Sequence, residues 1–191
     1  MIRIAIIGDI GSGKSYISKL FGFPVFNADL EVKKIYKNNK RCFLKLNRKL
    51  PKYILTFPIK KEELLKAIIK NKQNIFKINN IVHPEVRLKL KKFLKKNKSK
   101  LAVILDIPLL LENKINHKKD ILIFVDSKKK QVNKRLKKRP NFNMRILKQL
   151  KSLQLPLEIK RKKANFIIKN NFKMKTVKKS VRLIKTKILY K

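Results

Sequence analysis

Eight residues near the start of the chain carry the clearest chemistry: Gly8-Asp9-Ile10-Gly11-Ser12-Gly13-Lys14-Ser15. The spacing is G-x-x-x-x-G-K-S, a pattern in which backbone N–H groups cradle phosphate oxygens. The chain has four glycines, and three of them fall in this stretch. Glycine tolerates positive φ and lets a backbone close on a ligand. In this pattern Lys14 reaches the β- and γ-phosphates of a nucleotide and the Ser15 hydroxyl holds Mg²⁺. The alternative is an ordinary strand–turn–helix with a glycine-rich turn.

The flanks decide for the phosphate reading. Residues 2–7 form an apolar run broken only by Arg3, which reads as a buried strand. Ile17, Leu20 and Phe21 follow at the spacing of one helix face. The loop therefore leaves a strand and opens a helix, whose positive end favours bound anions.

Acidic residues are scarce, eleven in 191, so those at strand ends are informative. Residues 24–26 read as a second strand, followed by Asn27-Ala28-Asp29 and a helix through Val32, Ile35 and Tyr36. Ligands of open α/β sheets bind at the carboxyl ends of strands, which brings Asp29 beside the phosphate loop. It can act there as a catalytic group, as a helix cap, or as both. Residues 101–105 form a continuous apolar run ending in Asp106, an arrangement in which a carboxylate meets Mg²⁺ or its waters. The competing role is a capped turn. Residues 121–125 form the next such run, ending in Asp126-Ser127, which reads as a cap pair.

Between residues 40 and 100 the strand signal disappears. Leu64, Leu65 and Ile68 mark one helix, and Ile75, Phe76, Ile78 and Ile81 another. Pro84 is expected to open a third, with Val86, Leu90, Phe93 and Leu94 on its face. Such helical insertions in kinases cover the acceptor and move on binding. His83 alone reads as structural, and neither it nor His117 has metal-ligand spacing. Residues 127–139 read as a basic helix with Arg135 and Arg139 on one face, before a turn at Pro140. The pair fits either a phosphoryl clamp or a solvated basic face. A helix from Pro156 to Lys163, a short strand over 165–168 and a last helix striped by Val177, Val181, Ile184 and Ile188 complete the chain.

Composition sets the outer bounds. The hydrophobic share is 43%, no apolar run approaches membrane-spanning length, and the single cysteine, Cys42, excludes an internal disulfide. The N-terminal apolar run is too short for a signal peptide, and the expectation is a cytoplasmic location. The net charge of +42 invites a nucleic-acid reading. Lysine is nevertheless spread over every predicted helix and loop rather than gathered into a stripe, so no nucleic-acid partner is expected. The charge still raises the on-rates of anionic substrates.

Several stretches together resemble the dephospho-CoA kinases. They are the loop at 8–15, Asn27-Ala28-Asp29, Ile81-Val82-His83-Pro84-Glu85-Val86-Arg87, Asp106-Ile107-Pro108-Leu109-Leu110-Leu111-Glu112, Arg135-x-x-x-Arg139, Gln154-Leu155-Pro156-Leu157-Glu158-Ile159-Lys160 and Ala164-Asn165-Phe166-Ile167-Ile168-Lys169-Asn170. Asn27, Asn165 and Lys169 stand where that family usually has acids, Asp9 where it has glycine, and Pro140 where an acid commonly follows the second lid arginine. The insertion is also short and lacks the family's glycine-containing turn.

The resemblance implies an α/β fold, a three-layer P-loop domain with a parallel sheet. Its core would be residues 1–30, 100–126 and 155–191, with a helical acceptor-binding insertion at 31–99 and a lid at 127–154. It implies phosphorylation of the ribose 3′-hydroxyl of dephospho-CoA, with ATP and Mg²⁺. Gly8, Ile10, Gly11, Ser12, Gly13, Lys14, Ser15 and Tyr16 would hold the nucleotide, with Asn170 near its base. Asp29 would be general base, supported by Lys14, Arg139 and Arg135. His83, Pro108, Leu109 and Glu112, with Asp29, would line the acceptor side, and Ser15 and Asp106 would face the metal. Another P-loop small-molecule kinase, of the nucleoside monophosphate or shikimate type, and a nucleotide-dependent nucleic-acid-binding protein stay open at this point. A GTPase does not, since no Asn-Lys-x-Asp is present to read guanine.

Overall fold

The computed structural model describes residues 1–138, 140 and 142–190. Within them the chain forms two compact units, one of residues 1–27, 97–143 and 150–191, the other of residues 28–96 and 144–149.

The first unit is built on a five-stranded sheet, all parallel, in the order β2-β3-β1-β4-β5. The strands are β1 (Ile2–Gly8), β2 (Val25–Asn27), β3 (Ala102–Asp106), β4 (Ile121–Asp126) and β5 (Phe166–Lys169). A parallel sheet is covered on both faces, which is why these strands read as continuous apolar runs rather than alternating ones. On one face Ile4, Ile6, Ile104, Ile123 and Val125 pack with Ile17 and Phe21 of α1 (Lys14–Leu20 and its C-cap). The same core takes the stripe Val177, Val181, Ile184 and Ile188 of α9 (Met174–Leu189). Burying each of these side chains stabilises the fold by about 1.5–3 kcal/mol. The other face packs against α8 (Leu157–Lys163), which meets β1 and β4. The central strand, β1, is buried from Ile4 to Ile7, so it delivers the glycine loop from the middle of the sheet. Arg3, the break in its apolar run, is paired with Asp120: Nε lies 2.8 Å from Oδ1 and Nη2 3.0 Å from Oδ2.

The second unit is helical: α2 (Ala28–Asn38), α3 (Lys40–Lys49), α4 (Lys61–Lys70), α5 (Asn74–Lys96) and most of α7 (Met144–Ser152). The sequence predicts a helix boundary at Pro84; the structure corrects this, since α5 runs unbroken for 23 residues with Pro84 inside it. The reason is the buried stripe Ile75, Ile78, Val82, Val86 and Leu90, whose spacing continues through the proline. That packing outweighs the loss of one i→i−4 bond, about 3 kcal/mol. Two helices lack a sequence prediction. One is α3, whose N-cap Asn39 accepts from the Cys42 N–H at 2.9 Å and donates to Glu85 of α5 at 3.0 Å. The other is α7, which buries none of its residues.

One buried ion pair fastens the segment after β3 to α8. Lys160 is 1% exposed, and its Nζ lies 2.7 Å from Glu112 Oε1. The same oxygen accepts from the Leu155 N–H at 2.9 Å. Removing one member of such a pair leaves an uncompensated buried charge, so Lys160→Met is expected to cost about 3 kcal/mol. In a chain of this size that lowers Tm by about 6–12 °C. Glu112→Gln in the Lys160→Met background recovers part of the loss. A single-variant Tm within about 2 °C of the parent, measured by calorimetry, would show that the pair does not hold this segment.

Candidate active site

The glycine loop begins at the carboxyl end of β1 and closes onto α1. Gly13 sits at φ 93° as the N-cap of α1. A Cβ on it would come within 2.5 Å of Asn170 Nδ2. A Cβ on Gly11 would come within 2.9 Å of the Leu136 side chain on α6 (Lys129–Lys137). These glycines are therefore needed both for backbone conformation and for close packing.

Two donors outside the loop fix its shape. Ser12 C=O accepts from Asn170 Nδ2 at 2.7 Å and from Ser127 Oγ at 3.0 Å. Because a trans peptide is planar, drawing this carbonyl toward β4 and β5 turns the Gly13 N–H the opposite way. The Lys14 ammonium is held inside the loop by Asp9 C=O at 2.7 Å and Gly8 C=O at 3.2 Å. Ser12 Oγ is buried and has no hydrogen-bond partner among the described residues. A loop with an oriented amide, a held ammonium and an unused buried hydroxyl suits a polyphosphate.

Asn170 is 4% exposed and is tied at three points. Its N–H donates to Asp126 C=O at 2.6 Å, its Oδ1 accepts from Phe172 N–H at 2.9 Å, and its Nδ2 holds the loop. The resemblance places Asn170 near the nucleotide base, and its side chain also supports the phosphate loop. Phe172, at φ 61°, lies beside Gly13, and the Arg135 guanidinium stacks 4.5 Å from its ring centroid. Arg135, Asn170 and the loop are thus brought together on one side. Arg139 lies outside the described residues.

Asp106 ends β3 opposite Asn27 in register, and Asn27 Nδ2 donates to Asp106 Oδ2 at 2.5 Å. Asn27 thus supports the buried carboxylate without placing a second negative charge beside it. Ser15 is exposed in the first turn of α1, with Tyr16 exposed beside it. Among the described residues no three His, Cys, Asp or Glu side chains gather as a metal cage. One hydroxyl and one carboxylate remain, a donor set that fits Mg²⁺, which keeps several waters and takes few protein oxygens.

In the segment after β3, Pro108 and Leu109 are half-buried and the Glu112 Oε1 is engaged by Lys160 and Leu155. In the helical unit, Asp29 is exposed in the first turn of α2. Burial, and then the Arg87 guanidinium, hold His83 below the ordinary imidazole range, so the ring is neutral at pH 7. The Cys42 thiol is pushed up to about 11, first by burial and then by Glu85, so it is not a nucleophile.

Sequence reasoning assigns Ser127 only a capping role and gives none to Phe172 or Lys151. Lys151 Nζ lies 3.5 Å from Asp9 Oδ2, but one lysine among so many carries no signal of its own.

A family model described as dephospho-CoA kinase matches residues 2–176. The dephospho-CoA kinase of Zymomonas mobilis is 32% identical over 173 residues, covering 89% of this chain and 88% of that protein. The solved structure of the dephospho-CoA kinase from Campylobacter jejuni matches with a TM-score of 0.63 at 25% identity, covering 98% of each chain. A shikimate kinase from Bacteroides thetaiotaomicron, TM-score 0.53 at 12% identity, shares the fold alone. A P-loop at the end of a central parallel strand, within a match that runs nearly end to end, has one reading: the chain belongs to the dephospho-CoA kinase family of ATP-dependent phosphotransferases.

Proposed function

We propose that this chain transfers the γ-phosphoryl group of ATP to the ribose 3′-hydroxyl of dephospho-CoA, giving CoA and ADP. The observation that carries the reading is the phosphate loop itself, set in a chain whose family match covers residues 2–176. Phosphoryl transfer asks a protein for positioning and charge stabilisation more than for covalent chemistry. The loop supplies both. Its Ser12 carbonyl is held outward and its Lys14 ammonium inward, so binding ATP requires little reorganisation.

The roles are those that the family resemblance implies for these residues. Gly8, Ile10, Gly11, Ser12, Gly13, Lys14, Ser15 and Tyr16 bind ATP, and Asn170 holds the loop for it. Ser15 and Asp106 hold Mg²⁺, which when bound offsets charge on the β- and γ-phosphate oxygens. Asp29 accepts the proton of the 3′-hydroxyl as it attacks, and the γ-phosphoryl leaves ADP. Lys14 stabilises the charge that develops, with Arg135 and Arg139 contributing from the lid. His83, Pro108, Leu109 and Glu112 contact the acceptor. The neutral His83 ring can accept a hydrogen bond as well as donate one. The large positive charge speeds the capture of both anionic substrates.

The direct test is ADP release from ATP and Mg²⁺ with dephospho-CoA, shikimate or a nucleoside monophosphate as acceptor. Release should depend on dephospho-CoA and be matched by CoA formation. Release driven equally well by another acceptor would reject the assignment. The role of Asp29 is tested separately. Asp29→Asn should lower kcat by about 100-fold or more while ATP affinity is kept, since a positioned base contributes 10²–10⁴-fold. A variant that keeps its kcat would reduce Asp29 to a helix-terminal residue of α2.

A further inference from the structure

Asp9 places a carboxylate in a loop that attracts anions. Its Oδ1 accepts from the Ile10 N–H at 2.7 Å, so the carboxylate is tied to the loop's own backbone. Its Oδ2 lies 3.5 Å from Lys151 Nζ, with the two side chains 18% and 34% exposed. A triphosphate in this loop meets the Asp9 charge unless a cation offsets it.

Lys151 is not drawn to Asp9 by local helix pairing. Its neighbours three and four positions away are Leu147, Lys148, Gln154 and Leu155, none of them acidic, and α7 contains no acid at all. The side chain instead reaches a carboxylate 142 positions back in the chain. Ile146, Leu147 and Gln149 of α7 are half-buried and none of its residues is fully buried, so no core contact of this helix dictates where the Lys151 ammonium goes.

We propose that Lys151 is a phosphate-contacting residue of the ATP site, held over the loop by Asp9 and cancelling the repulsion between Asp9 and bound ATP. Asp9 is the positioning residue and Lys151 the binding one. The inference rests on the reading of residues 8–15 as the ATP loop.

Calorimetric titration with ATP, without acceptor, separates the two. Lys151→Ala should weaken ATP binding about tenfold or more, the scale of a lost charged contact. Lys151→Arg should bind ATP within about threefold of the parent, since it keeps the cation. Asp9→Asn removes the carboxylate while keeping its shape. Adding it to Lys151→Ala should restore most of the lost affinity, because the repulsion disappears together with its screen. The loss should also shrink as salt is raised. Lys151 is partly exposed rather than a core residue, so truncating it empties no enclosed space.

Two results would overturn the inference. One is a Lys151→Ala variant that binds ATP as the parent does, the mark of a solvated surface pair worth little. The other is an equal loss with Asp9 and with Asn in its place. Failure of the parent protein to bind ATP would instead overturn the reading of the loop, and this inference with it.

Discussion

The Ser12 carbonyl is the point on which the site depends. It is held by Asn170 at the end of β5 and by Ser127 just past β4. Those two donors can reach one atom because β1 lies beside β4 and β4 beside β5, all parallel and with their carboxyl ends together. The sheet order is therefore more than a scaffold. It converts a flexible glycine loop into a fixed receptor by gripping the single peptide whose orientation turns the Gly13 N–H away from the grip. Gly11 and Gly13 then let Leu136 and Asn170 pack against the loop at distances a side chain would forbid.

A second constraint is the shortage of negative charge. With eleven acids against fifty-three lysines and arginines, carboxylates cannot be scattered without effect. Several take part in pairs that hold parts of the first unit: Asp120 with Arg3 at β1, Glu112 with Lys160 at α8, Asp126 with Arg161, and Asp9 with Lys151 at the loop. Asn27 beside Asp106 fits the same logic, since an amide supports the carboxylate where a second acid would repel it.

Much of this was legible in the sequence. The inner strands β3, β1 and β4 were readable because strands buried on both faces become unbroken apolar runs, the short edge strands β2 and β5 from their brief apolar stretches, and the loop because so few glycines occur elsewhere. The helical region was harder. Both α3 and α7 are amphipathic but short and basic, and only Cys42 and Leu46 are buried in α3 and no residue in α7, so neither carries a long apolar stripe of the kind that marks α5. Pro84 suggested a boundary, but the stripe from Ile75 to Leu90 carried α5 through it. At the site, the residue types that touch phosphate could be named, whereas those that orient them could not. The roles of Asn170 and Ser127 depend on which strands lie side by side, and those of Lys151 and Lys160 on which lysine meets a carboxylate. Neither is written in local spacing.

The central claim is that the held Ser12 carbonyl makes the loop a phosphate receptor. ATP affinity of Ser127→Ala and Asn170→Ala, each melted alongside the parent to confirm folding, tests it most directly. The account predicts a loss of about fivefold for Ser127→Ala, the worth of one hydrogen bond, and a larger loss for Asn170→Ala, which also releases the Phe172 turn. Two folded variants that bind ATP as tightly as the parent would contradict it, and would mean that the loop keeps its shape without either donor.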